Sequence, residues 1–109
     1  MGLTKTEAFT KEQNEVALLA KAVAHPARVA ILEHLIKTDV CITGDLVEVL
    51  PLAQATVSQH LKELKNAGLI KGDIQGTSVC YCLDKAKWKL FINTFDNLFE
   101  RIKLVTKCC

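Results

Sequence analysis

The chain has 109 residues, 50 % apolar and 24 % charged, with a formal net charge of only +2. That suits one small domain and excludes nucleic-acid affinity driven by bulk positive charge; any such affinity needs local placement of Lys and Arg, doubled by dimerisation. No apolar run approaches the ~20 residues of a membrane span, and Met1-Gly2-Leu3-Thr4-Lys5 lacks the apolar core of a signal peptide, so a cytoplasmic chain is expected.

Residues 1–10 read as a flexible N-terminal segment, 11–107 as the folded domain and 108–109 as a Cys-Cys tail. Val16, Leu19, Ala20 and Val23 form one stripe at helical spacing, which predicts a helix over 11–24. His25-Pro26 breaks it, and Pro26 suits the first turn of a second helix, where its missing N–H costs little. Val29, Leu32, Leu35 and Ile36 are expected to line that helix's inner face as far as about Lys37. Thr43 can cap a third helix with its hydroxyl; Leu46, Val49 and Leu50 form its buried side and Pro51 ends it. A fourth helix is predicted over 54–67, with Gly68 closing it in the left-handed conformation. Segments 70–73 and 77–83 read as two strands around Gln75-Gly76, with Val79, Tyr81 and Leu83 alternating against Ser78, Cys80 and Cys82. Asp84 caps a last helix along which Trp88, Phe91, Ile92, Phe95, Phe99 and Ile102 recur at three- and four-residue steps.

The order α-α-α-α-β-β-α is mainly α with a β-hairpin wing. A short helix, a tight break, a second helix and a hairpin make a winged helix-turn-helix, which presents one helix to a DNA major groove. With Val57, Leu61 and Leu64 as the buried seam of the fourth helix, Ala55, Ser58, Gln59 and Lys62 fall on the opposite side at about 100° per residue. Short side chains there let the backbone approach the groove floor. Gln59 can hydrogen-bond a base edge, while Gln54, Thr56 and Lys65 flank the face and suit phosphate. His60 lies nearer the seam and reads as a packing residue. Gln75 and Thr77, at the wing tip, are placed to reach backbone or minor groove.

The last helix holds four of the six aromatic residues, at 88, 91, 95 and 99. So many aromatics exceed the needs of one small core. A dimer interface built from the first and last helices is therefore expected, using Val16, Leu19, Trp88, Phe91, Ile92, Phe95, Phe99 and Ile102.

Three stretches resemble the ArsR/SmtB family of bacterial winged-helix metalloregulators. The run from Leu19 through His25-Pro26-Ala27-Arg28 to Ile31-Leu32 resembles the family's opening signature. Thr56-Val57-Ser58-Gln59-His60-Leu61 and onward to Gly68-Leu69-Ile70 resembles its recognition helix and exit, and Gly76 through Tyr81-Cys82-Leu83 its wing. The resemblance covers about Val16 to Leu83, with the last helix agreeing in position only. It implies a homodimeric repressor on an inverted-repeat operator in double-stranded DNA, needing no cofactor and released by a small inducer; members sense arsenite, zinc, cadmium, nickel or sulfur species. Ala53 departs from the pattern, standing where the family often has a Ser cap.

The five cysteines, Cys41, Cys80, Cys82, Cys108 and Cys109, are odd in number. In a reducing compartment they read as thiols, metal ligands or redox centres rather than as a disulfide scaffold. Family arsenite and cadmium sensors often carry Cys-x-Cys-Asp-Leu at the third helix; here Cys41-Ile42-Thr43-Gly44-Asp45-Leu46 keeps the first thiol only. The histidines, His25, His34 and His60, do not follow the zinc sensors' ligand pattern on the last helix. All five thiols form a candidate pool for arsenite or a soft metal ion; thiol oxidation or capture of a sulfur species is the alternative. A winged helix used for protein–protein contact is a rival to DNA binding. An enzyme is disfavoured, because no Cys-x-x-Cys occurs and no acid or His is positioned by sequence to activate a thiol.

Overall fold

The computed structural model describes the backbone of residues 7–38, 50–75 and 78–107, and their side chains except at 38, 73–75 and 78–80. Four helices and one antiparallel hairpin are present among the described residues. The expected third helix, with Thr43, Leu46 and Val49, lies outside them.

Helix α1 (Lys11–Val23) opens on a reciprocal capping box. The Gln13 N–H donates to the Thr10 hydroxyl at 3.1 Å, and the Thr10 N–H donates to the Gln13 side chain at 2.9 Å. Helix α2 (Pro26–Thr38) follows after two residues. His25 caps it: its ring Nδ1 accepts from the Ala27 N–H at 3.0 Å, and its carbonyl accepts from Arg28 and Val29.

Helix α3 (Gln54–Asn66) starts at Ala53, which contributes no side-chain cap. Beyond Ala67 the chain turns on Gly68, whose φ of 81° suits a residue without Cβ. Strands β1 (Ile70–Gln75) and β2 (Ser78–Leu83) pair antiparallel from Ile70 opposite Leu83 to Gln75 opposite Ser78. Strand β1 therefore continues two residues past Asp73, where the expected first strand stops. Asp84 caps α4 (Lys85–Lys103) by accepting from the Lys87 N–H at 3.2 Å.

Leu19, Ile31, Val57, Leu64, Leu69 and Ile70 are the largest fully buried side chains, so the core lies where α1, α2, α3 and the hairpin meet. Trp88, Phe91 and Phe95 close it from α4. The Trp88 indole donates to the Leu69 carbonyl at 2.8 Å, which also accepts from the Asp84 N–H at 3.1 Å. One carbonyl thus ties the exit of α3 to the start of α4.

The expected inner face of α2 is corrected in part. Leu32 and Leu35 are buried, but Val29 and Ile36 are exposed, and Ala27 and Ile31 take their places. The helix is apolar on several sides, so spacing alone offers two stripes. Docking against α1 and α3 selects the one that contains Ile31.

Candidate nucleic-acid interface

The two faces of α3 are chemically distinct. Val57, His60, Leu61 and Leu64 are buried on one side. Gln54, Ala55, Thr56, Ser58, Gln59, Lys62 and Lys65 are all exposed, which brings the seven helical residues expected to contact DNA onto one open surface. Gln59 is not idle there: its side-chain amide donates to Glu63 at 3.1 Å, one turn along. That contact holds the side chain extended along the helix and leaves its oxygen as an acceptor. The Lys65 ammonium reaches the Gly72 carbonyl at 3.4 Å and so leans towards the wing. The side chain of Gln75, and Thr77 altogether, lie outside the described residues.

The opposite side of α3 is seated on a polar joint that sequence reasoning did not find. His60 is only 8 % exposed. Its Nδ1 accepts from Arg28 Nε at 3.1 Å, and its ring lies 4.3 Å from that of His25. Arg28 Nη1 in turn donates to the Ala22 and Lys21 carbonyls at 3.0 and 3.4 Å, near the C-terminus of α1, where a cation is favoured. One guanidinium therefore clamps α1, α2 and α3 together. Burial pushes the His60 pKa below its ordinary 6.5, with His25 and Arg28 acting in the same direction and Glu63 against them. The His60 ring accepts at Nδ1, so this bond requires its neutral Nε2–H tautomer. The available signal was a histidine at a seam position between Val57 and Leu61, since a buried polar group needs a partner.

Helices α1 and α4 lie side by side, with Glu15 facing Lys87 at 3.9 Å and Glu12 facing Arg101 at 3.7 Å. The residues expected at a dimer interface divide. Leu19 and Phe91 are buried in the protomer's own core. Val16, Trp88 and Phe95 are half-buried. Ile92, Phe99 and Ile102 stay exposed, at 52, 48 and 59 %. The aromatic rings run as a ladder, 88 to 91 at 5.1 Å, 91 to 95 at 4.6 Å and 95 to 99 at 5.1 Å, so the stripe passes from core to surface along the helix.

Of the candidate thiols, Cys82 is free and half-buried, paired across the hairpin with Lys71. Cys80 pairs with Asp73 in the same register. Cys41, Cys108 and Cys109 lie outside the described residues. Among the described residues no helix is long and apolar enough to cross a membrane.

Residues 25–71 match the family model described as bacterial regulatory protein, arsR family. The HTH-type transcriptional repressor SmtB of Mycobacterium tuberculosis is 43 % identical over 65 residues, which are 60 % of this chain and 47 % of SmtB; the chain spans about half the length of that relative. The biofilm growth-associated repressor of Agrobacterium fabrum is 32 % identical over 92 residues, covering 84 % of this chain and 78 % of that one. Among solved structures, HlyU from Vibrio cholerae superimposes with a TM-score of 0.64 at 29 % identity, over 84 % of this chain and 98 % of HlyU. The matched stretch runs from the capping histidine of α2 through the exposed face of α3 into β1, and the chain belongs to the ArsR family of bacterial regulatory proteins, whose members are transcriptional regulators and not enzymes.

Proposed function

We propose that the chain is a homodimeric, sequence-specific repressor of the cytoplasm that binds an inverted-repeat operator in double-stranded DNA and is released by a thiol-reactive inducer, arsenite or a soft metal ion. The single observation that carries the DNA-binding reading is the open face of α3. It bears short side chains, two amides and two lysines, opposite the buried seam of Val57, His60, Leu61 and Leu64. A dimer would set two such helices about 34 Å apart, one turn of DNA. Gln59 would read a base edge, and Lys62 and Lys65 would meet phosphates. The five cysteines support a thiol-based release, because soft thiolates suit those ligands. Binding that favours a misaligned dimer needs a coupling of only 1–3 kcal/mol to weaken DNA binding about 5- to 150-fold.

The test is fluorescence anisotropy on the promoter DNA of the protein's own operon across a salt series. Lys62→Ala should reduce the slope of log K against log salt by about 1. Gln59→Ala should cost about 1–3 kcal/mol on the specific site and little on random DNA. Arsenite, cadmium or zinc should release the DNA; release by a persulfide alone would assign the thiols to oxidation instead. Failure to bind that DNA at low salt would remove the repressor reading.

A further inference from the structure

Behind the reading face, α1, α2 and α3 border an open cavity of about 380 Å³, within the size range of small-molecule sites. Its lining is divided in charge. Lys21 and Arg28 bring two cations, Glu63 a carboxylate and Asn66 an amide, while Leu18 and Ala67 give an apolar wall. The Arg28 guanidinium is fixed through Nε and Nη1 to His60 and the α1 carbonyls. It is a preorganised donor: with Nε and Nη1 committed, the Nη2 hydrogens are those left to meet a carboxylate. Glu63 Oε1 already accepts from Gln59, and a carboxylate has room for further donors.

A bare anion in this cavity would meet Glu63 and the negative C-terminal ends of α1 and α3, which finish at Val23 and Asn66. A bare cation would meet Lys21 and Arg28. A molecule that carries both charges a few atoms apart, with an apolar body, satisfies every wall at once. We propose that this cavity binds a free α-amino acid with an apolar side chain, its carboxylate held by Lys21 and Arg28, its ammonium by Glu63 and Asn66, and its side chain on Leu18 and Ala67.

Isothermal titration calorimetry on the full chain tests the assignment, with L-leucine and L-phenylalanine as probes. N-acetyl-L-phenylalanine and L-phenylalaninamide, each lacking one of the two charges, serve as comparisons. One saturable site per chain is expected for at least one of the two amino acids. Each capped analogue should bind at least about 10-fold more weakly, as should the free amino acid to Lys21→Ala and to Glu63→Gln, the scale of one lost charge-assisted hydrogen bond. Lys21 is exposed and Glu63 half-buried, so both variants keep the fold, which a thermal melt verifies. Absence of saturable heat with both amino acids up to about 10 mM, past the weak end of useful affinity, overturns the assignment. So does equal binding by the capped analogues or by both variants. The readout involves no DNA, so its failure is distinct from failure of the repressor reading.

Discussion

Arg28 Nε donates to His60 Nδ1 across 3.1 Å, joining residues 32 positions apart in the chain. The reading helix is therefore seated by a hydrogen bond that exists only while His60 is neutral. Burial, with His25 and Arg28, holds the folded-state pKa below 6.5. The unfolded chain thus binds the proton more readily. Stability from this group is complete above about pH 6.5 and is lost as pH falls through the lowered folded value. The urea midpoint should drop between about pH 7.5 and pH 5.5, and His60→Gln should reduce that drop. An unchanged pH dependence in the variant would remove His60 from the account.

Ala53 leaves the first turn of α3 without a side-chain cap, while the Thr56 and Val57 N–H groups both reach its carbonyl at 3.0 Å. Its backbone, at φ −65° and ψ 151°, already has the extended geometry of a capping residue. Ala53→Ser should therefore stabilise the protein by about 1 kcal/mol and raise Tm by roughly 4 °C. A calorimetric scan of the two proteins checks this, and an unchanged Tm would mean that the hydroxyl finds no N–H to accept from.

The parts of the fold legible in sequence are those fixed by local chemistry. Pro26, Gly68 and Asp84 stand at helix boundaries as expected. Helix α3 was legible because its apolar and polar positions separate cleanly, so the exposed set could be read one residue at a time. Helix α2 was not: Val29 and Ile36 keep the same helical spacing as the buried residues, and only docking distinguishes the two stripes. Along α4 one run of apolar spacing covers two environments, Phe91 in the core and Phe99 on the surface. Periodicity reports a face but not what covers it. The clamp of His25, Arg28 and His60 was illegible for a different reason. It joins three segments through side-chain geometry, and no spacing rule connects them.

Trp88 tests whether the joint between the exit of α3 and the start of α4 carries stability. Its indole N–H is held by the Leu69 carbonyl at 2.8 Å, and its ring lies against Phe91. Trp88→Phe keeps most of the apolar contact and deletes the donor. The Leu69 carbonyl retains the Asp84 N–H as a partner, so no buried acceptor is orphaned and the loss should be about 0.5–1.5 kcal/mol. Urea unfolding followed by circular dichroism measures it. A loss above about 3 kcal/mol would show that packing of the larger ring, not the hydrogen bond, dominates.

Phe99 and Ile102 lie three positions apart on α4 and are about half exposed, so neither is needed to complete the protomer's core. If a second copy covers this stripe, each buried side chain contributes about 1.5–3 kcal/mol, and twofold symmetry doubles every substitution. Phe99→Asp should then weaken dimerisation by at least about 100-fold while leaving the helical content of the protomer intact, and Ile102→Asp should act the same way. Sedimentation over a concentration series separates this from general destabilisation, because a merely destabilised chain would lose helix signal at every concentration. Loss of operator binding should follow loss of the dimer, since a single reading helix engages only half of an inverted repeat. A Phe99→Asp protein that sediments as wild type would move the contact away from this stripe and leave its exposed apolar residues without a dimerising role.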